Sequence, residues 1–237
     1  MPRFWEVDAL RGIAIILMVF FHFLFDLNYF GLARISLYDG VPGIIQFAAA
    51  SSFLLLVGVS MTLSYNNKNE GFEKRTLVRA MLVFSGGVVL SVLTLIFFPQ
   101  QPILFGILHL IGASLLLGAF IAKSKEASLL IALAIILSWL FFDLQSLGLE
   151  FFFWIGFAPP ISALDFFPVF PWMGAVFLGV FLGHAFYPKG KRMFGVHEPK
   201  NAENALAFLG RNSLAIYFIH QPVLVPMVYL AKIVFGL

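Results

Sequence analysis

The sequence predicts an all-α integral membrane protein, a polytopic bundle of about seven transmembrane helices with its N-terminus in the cytoplasm. Of its 237 residues, 61% are hydrophobic and only 11% are charged, whereas a soluble domain has about 45–50% apolar and about 25% charged residues. The apolar residues also fall into separate runs of membrane-spanning length, and basic residues cluster in alternate loops. We therefore expect one transmembrane domain over residues 1–237.

The individual spans are predicted from apolar runs between charged or Pro-, Gly- and Asn-rich breaks. About 20 mostly apolar residues cross the hydrocarbon core as a helix. The candidate runs cover residues 10–30, 43–64, 77–98, 103–122, 127–142, 168–187 and 210–235. A further apolar patch at 147–157 is only about ten residues long, which favours an interfacial or re-entrant segment over a span.

The distribution of lysine and arginine predicts the orientation. With a cytoplasmic N-terminus, all but two of the 15 basic residues lie on the inner side, and only Arg34 and Lys232 lie outside. Cytoplasmic loops carry such an excess of Lys and Arg. The outer loop 143–167 has acidic residues and no basic one. We expect a multi-pass protein of the cell (plasma) membrane.

Composition also excludes several kinds of site. The chain has no cysteine, which rules out disulfides, thiolate metal sites and a cysteine nucleophile. No His-x-x-x-His or Glu-x-x-His pair occurs on a predicted helix, so we expect no metal. The net charge of +3 is small, and we expect no nucleic-acid partner.

The first predicted helix carries a stripe of ionisable residues. At 100° per residue, His22 lies only about 20° around the helix from Arg11, and Asp8 and Asp26 lie within about 60° of the same line. Such groups are costly in lipid and should face the bundle. His22 is a candidate general base, with Asp26 one turn on to orient or charge-stabilise its ring. The alternative is a structural hydrogen bond between helices.

Other predicted helices bring polar residues towards similar depth. If the fourth span enters from outside at residue 103, it places His109 about 9 Å into the membrane. On the last span, Ser213, Tyr217 and His220 share one stripe, and Gln221 follows directly. Asp165 could bind an acceptor or cap the sixth span. Each histidine alone could instead make a packing hydrogen bond. The predicted substrate-binding residues are His109, Asp165, Ser213, Tyr217, His220 and Gln221.

Several segments resemble a known family. The opening Glu6-Val-Asp-Ala-Leu-Arg-Gly-Ile-Ala, followed by His22, resembles the transmembrane acyltransferase superfamily. Within it, the chain looks most like the branch that shares the heparan-α-glucosaminide N-acetyltransferase catalytic domain, which is related to acyltransferase family 3. Leu-His109-Leu-Ile-Gly, Pro168-Val-Phe-Pro-Trp and the segment Gly210–Pro222 resemble later blocks of that branch.

The resemblance implies acyl transfer across a membrane. Acetyl-CoA, as co-substrate, would enter from the cytoplasm, and a sugar or glycan hydroxyl or amine would be acylated on the far side. His22 matches the catalytic histidine of the superfamily and Arg11 its partner. Basic residues on the inner side suit the phosphates of CoA. The predicted acyl-CoA-binding residues are Asp8, Arg11, Lys74, Arg75 and Arg79.

The sequence leaves three questions open: the class of function, the path of transfer and the oligomeric state. A transporter or flippase could use the stripe as a relay, although its signature, an inverted repeat, is absent from the sequence. Transfer could also pass through an acyl-histidine instead of a direct attack. The sequence leaves open a homodimer.

Overall fold

The computed structural model describes residues 4–67 and 70–235 and is helical throughout, with no strand in those ranges. Residues 1–3, 68–69 and 236–237, which include both ends of the predicted domain, lie outside the described residues. Eight α-helices follow one another along the chain. They are α1 (Trp5–Tyr29), α2 (Gly40–Asn67), α3 (Phe72–Phe97), α4 (Ile107–Ile121), α5 (Lys125–Phe141), α6 (Val169–Phe186), α7 (Asn201–Arg211) and α8 (Ser213–Phe235).

Within the described ranges, five helices are long and apolar enough to cross a membrane, namely α1, α2, α3, α6 and α8. Helix α4 is apolar but has 15 residues, and α5 has 17. At 1.5 Å per residue these two helices measure about 22 and 25 Å, less than the roughly 30 Å of the hydrocarbon core. The prediction of an all-helical membrane protein is confirmed, whereas the number of seven crossings stays a prediction.

The chain between α6 and α8 differs from the prediction. The run predicted as one span over 210–235 is divided at Asn212, whose backbone N–H bonds to carbonyls of Phe208 and Leu209 at the end of α7. Helix α7 was not predicted. Its start is stabilised by Glu203, whose carboxylate accepts the backbone N–H of Lys200 at 2.6 Å. A carboxylate three residues after the cap is a known helix-start signal, so this helix could have been found from sequence.

The outer apolar patch predicted at 147–157 is not a regular helix. The structure has two short 3-10 helices nearby, Leu144–Leu147 and Glu150–Phe152. Asp143 starts the first of them by accepting the backbone N–H of Ser146. Large apolar side chains remain exposed along this segment, among them Phe151 and Leu147.

Packing divides the helices into two compact units. The first contains α1, the first half of α2, α7 and α8. In this unit α1 and α7 approach each other closely, because a Cβ added at Gly12 would overlap the backbone carbonyl of Leu206. A Cβ at Gly210 would likewise overlap the carbonyl of Asp8. The two glycines thus allow the backbones to meet.

The second unit contains the rest of α2 with α3 to α6. Gly179 of α6 lies against the backbone of Leu55, and Gly183 lies against Thr62. The Thr62 hydroxyl donates to the Val180 carbonyl at 2.9 Å. The small-residue pair Gly179-x-x-x-Gly183 therefore serves close helix packing.

Candidate active site

The polar stripe of α1 begins with an ion pair. Arg11 Nη1 donates to Asp8 Oδ1 at 3.0 Å, one turn earlier on the same helix. The Arg11 side chain is 19% exposed. His22 follows eleven residues later, about 16 Å further along the helix axis. Asp8 and Arg11 therefore form one polar level of α1, and His22 and Asp26 form another.

The tautomer of His22 is fixed by its own helix. Its Nδ1 lies 2.8 Å from the backbone carbonyl of Met18. A carbonyl can only accept, so Nδ1 carries the hydrogen, and Nε2 of the neutral ring keeps a bare lone pair. The Met18 carbonyl therefore holds Nδ1, and the role of Asp26 in orienting or charge-stabilising the ring stays a prediction. A bare Nε2 is what a general base requires.

A second histidine packs against the first. The ring centroids of His22 and His220 lie 4.7 Å apart, with the rings at 79° to each other. His220 also donates from Nδ1, to the Tyr217 carbonyl at 2.6 Å, so its Nε2 is bare too. The Tyr217 ring lies 5.6 Å from that of His220. Residues predicted on separate helices thus meet in one place.

One turn further along α1, Asp26 meets α8. The Gln221 side chain lies close to the Asp26 carboxylate, and Asp26 is almost fully buried at 3% exposure. We refer to His22, Asp26, His220 and Gln221 as the polar layer. Ser213, the first residue of α8, is also buried, so its stripe faces protein as expected.

His109 belongs to the second unit and sits differently from the prediction. Helix α4 begins at Ile107 rather than at 103, so His109 lies in its first turn and not about 9 Å along it. Its Nδ1 accepts the backbone N–H of Gly106 at 3.2 Å. The ring stacks on Phe105 and packs edge-on against Phe84. These contacts suit a buried capping residue.

Asp165 caps a helix, but not the one that the sequence suggested. Its Oδ2 accepts the backbone N–H of Ile107 at 2.9 Å, at the start of α4 rather than of α6. A carboxylate at this end satisfies a backbone donor and complements the helix dipole. His109 and Asp165 therefore stabilise the same helix start.

The basic residues predicted to bind acyl-CoA lie on the first two turns of α3. Lys74, Arg75 and Arg79 are exposed there. Arg75 Nη1 donates to the carbonyl of Glu70 at 2.7 Å. The neighbouring Lys123 is exposed as well, but its charge is compensated by an ion pair with Glu73. Such a surface can attract anions.

A family model described as "Heparan-alpha-glucosaminide N-acetyltransferase, catalytic" matches residues 3–222. The chain belongs to this family. No curated protein matches the chain, and no solved structure matches it either. Membership of this acetyltransferase family and the long apolar helices together indicate a membrane acetyltransferase, and they confirm the resemblance that the sequence motifs suggested.

The match to the acetyltransferase family runs from the start of α1 into α8 and covers the whole polar layer. Two features of that layer were not predicted from the sequence. The first is the Met18 carbonyl as the partner of His22; every helix offers such carbonyls, so the sequence holds no signal for it. The second is the pairing of Asp26 with Gln221, which depends on how α1 and α8 pack.

Proposed function

We propose that this protein transfers an acetyl group, or another acyl group, from cytoplasmic acyl-CoA to a hydroxyl or amine of a sugar or glycan across the membrane. His22 acts as the general base. The observation that carries the proposal is the state of His22, a half-buried histidine of α1 whose Nδ1 is held by the Met18 carbonyl and whose Nε2 has a lone pair that can take a proton. Membership of the acetyltransferase family supports the reaction class.

The chemistry follows from that lone pair. The acceptor donates its O–H or N–H hydrogen to Nε2 of His22 as its oxygen or nitrogen attacks the thioester carbonyl carbon. The bond between that carbon and sulfur then breaks. The departing CoA thiolate takes the proton from Nε2, so that the products are the acylated acceptor and free CoA, and His22 returns to its neutral form.

The donor side of the proposal rests on charge. CoA carries several phosphate charges, and Lys74, Arg75 and Arg79 offer exposed cations on α3. Arg11 supplies a further cation on α1, held by Asp8. We assign these residues to acyl-CoA because guanidinium and ammonium groups bind phosphate by charge-assisted hydrogen bonds.

The proposal includes seven crossings, a cytoplasmic N-terminus and residence in the plasma membrane. The distribution of Lys and Arg supports this orientation, because it leaves only Arg34 and Lys232 on the outer side. With this arrangement the positive surface of α3 faces the compartment that contains CoA. The partners are then acyl-CoA inside, a sugar or glycan acceptor outside and the surrounding lipid.

The test is a release assay on purified protein in lipid nanodiscs. Acetyl-CoA is supplied with amino sugars and neutral sugars, and free CoA and acetylated product are both measured. We expect acceptor-dependent release of CoA in equal amount to the product. A burst of CoA without acceptor would indicate an acyl-histidine. No release with any acceptor or acyl-CoA would contradict the proposal.

A further inference from the structure

The polar layer joins α1 and α8 at two consecutive levels. His22 packs against His220 at one level, with 4.7 Å between ring centroids. One helical turn along, Asp26 meets Gln221. His220 and Asp26 are more than nine-tenths buried. Four polar side chains thus share a small region between two apolar helices, and their hydrogen-bonding requirements can be compared atom by atom.

The layer presents acceptor atoms almost exclusively. Within residues 4–67 and 70–235, three of its buried atoms have no hydrogen-bond partner: Asp26 Oδ2, His220 Nε2 and Gln221 Oε1. Nε2 of His22 also has a bare lone pair, because Nδ1 carries the ring hydrogen. Two hydrogen-bond acceptors cannot bond to each other. Leaving such groups unpaired when buried is costly, so the layer is built for a ligand that brings hydrogens.

The kind of ligand follows from this pattern. A carbonyl, a carboxylate or a phosphate brings acceptors and would leave the layer unsatisfied. A metal ion is not favoured, because no three metal-ligating side chains converge anywhere in the described part of the chain. Hydroxyl and amino groups do bring hydrogens. One such group, bonded to His22, would still leave Nε2 of His220 and the free oxygens of Asp26 and Gln221 without a donor, so at least one further hydrogen is required beside it.

We propose that the polar layer selects acyl acceptors that carry a second hydroxyl or amino group next to the one that reacts. His220 is the residue that recognises this second group. This inference rests on the proposed function and specifies its acceptor. The reacting O–H or N–H bonds to Nε2 of His22. The neighbouring group donates to Nε2 of His220, and where it is an amino group its second hydrogen bonds to the free oxygen of Asp26. An acyl acceptor that has only the reacting hydroxyl or amino group leaves Nε2 of His220 unpaired.

The expected discrimination is large. A site that hydrogen-bonds a substrate hydroxyl rejects the analogue without it strongly, because its own buried polar groups then lose their partner. Three matched pairs measure this effect: trans-1,2-cyclohexanediol with cyclohexanol, trans-2-aminocyclohexanol with cyclohexylamine, and glucosamine with 3-deoxyglucosamine. We expect kcat/KM to be at least about 100-fold higher for the first member of each reactive pair.

The variant His220→Phe keeps a ring of similar bulk but removes the lone pair. We expect it to reduce the ratio of kcat/KM within each reactive pair to a few-fold, mainly by slowing transfer to the compound with two donor groups. The KM for acetyl-CoA should stay unchanged. Asp26→Asn, which weakens one acceptor and adds donors, should reduce the ratio in part. Ile219→Phe is the matched control, because it adds the same ring at an exposed neighbouring position of α8 and should keep the wild-type ratio.

Two results would overturn the inference. The first is equal kcat/KM within the reactive pairs for the wild-type protein, which needs no variant and so does not depend on folding. The second is a ratio that His220→Phe leaves unchanged in folded protein. Failure of the proposed function looks different, because no acceptor in either this set or the sugar panel would then release CoA, and the inference would fall with it.

Discussion

The imidazole rings of His22 and His220 lie 4.7 Å apart, and each gives its Nδ1 hydrogen to a carbonyl of its own helix. Two helices far apart in sequence therefore place two bare Nε2 atoms in one region. The shared tautomer gives the site proton-accepting capacity without any carboxylate bound to either ring, unlike a Ser-His-Asp arrangement, where a carboxylate holds Nδ1.

Replacement of His22 is the most direct test of the base. His22→Ala should lower the rate of acetyl transfer by about 10²- to 10⁴-fold, because a general base contributes that much. Folded protein and stabilisation by acetyl-CoA should stay near wild type, since the ring acts on the acceptor. Phe20→Ala, at an exposed position of α1, is the control. Transfer at close to the wild-type rate in His22→Ala would remove this residue from the mechanism.

Close packing of α1 against α7 gives a prediction on stability. Gly12→Ala adds a Cβ that overlaps the Leu206 carbonyl, and backbone has little room to move away. Overpacking of this kind costs about 1–3 kcal/mol. Thermal unfolding in detergent should show a lower Tm for Gly12→Ala than for the control Gly195→Ala, where a Cβ meets nothing within 4 Å. Equal Tm values would mean that α7 does not pack tightly on α1.

Much of the fold could be predicted because apolar periodicity and length are strong signals. Each of the seven predicted runs overlaps a long helix of the structure, and the centres of run and helix lie within a few residues of each other. The misplaced boundaries have local causes. Helix α4 starts at Ile107 because the Asp165 carboxylate and the His109 ring bond to backbone N–H groups there. Asp165 is remote in sequence from this helix, and no local pattern predicts that it will be the cap.

The candidate site was predictable in a different sense. Ionisable residues inside apolar runs stand out, since they are costly in lipid, and this identified His22, Asp26 and His220. Which of them touch depends on how helices pack. The His22–His220 contact and the reach of Gln221 to Asp26 are tertiary facts that one helix at a time cannot supply. The role of Asp26 in orienting or charge-stabilising the His22 ring stays a prediction.

The number of crossings can be tested because the chain has no cysteine, so that a single introduced cysteine is the only label site. Cysteines placed at Lys74, Lys125 and Lys191 should react with a membrane-impermeant maleimide only from the cytoplasmic side, because these positions lie at helix starts or in a loop rich in basic residues. A cysteine at Glu150 should react only from outside. Reaction of the Glu150 position from inside would contradict seven crossings.

Protonation of Glu203 should weaken the start of α7. The backbone N–H of Lys200, and then His197, hold the pKa of this carboxyl below its usual range. A group with a depressed folded pKa stabilises the fold above its unfolded pKa, and the effect is lost as the pH falls through the folded pKa. The Tm of wild type should therefore exceed that of Glu203→Gln at neutral pH, and the difference should shrink in acid. A difference independent of pH would contradict this role.

The acyl-CoA assignment predicts that donor binding and chemistry separate by mutation. A ligand at 100 times its Kd stabilises a protein by about 2.7 kcal/mol, so thermal-shift titration with acetyl-CoA should detect binding. Arg75→Ala and Arg79→Ala should weaken it, and more so at low salt, because ions screen exposed contacts. Arg11→Ala should weaken it further, since its side chain is only 19% exposed and water replaces the lost charge less well.

The matched control for these variants is Arg34→Ala, which removes the same charge from the side predicted to lie opposite the CoA. Its titration should match that of wild type, whereas a loss equal to that of Arg79→Ala would indicate a general effect of net charge. His22→Ala should bind acetyl-CoA normally and yet fail to transfer. If acetyl-CoA and longer acyl-CoAs produce no shift in wild type at millimolar concentration, then the basic surface of α3 does not serve a CoA donor. The polar layer would then be better explained as a relay in a transporter, because such a relay needs the buried histidines but no phosphate-binding residues.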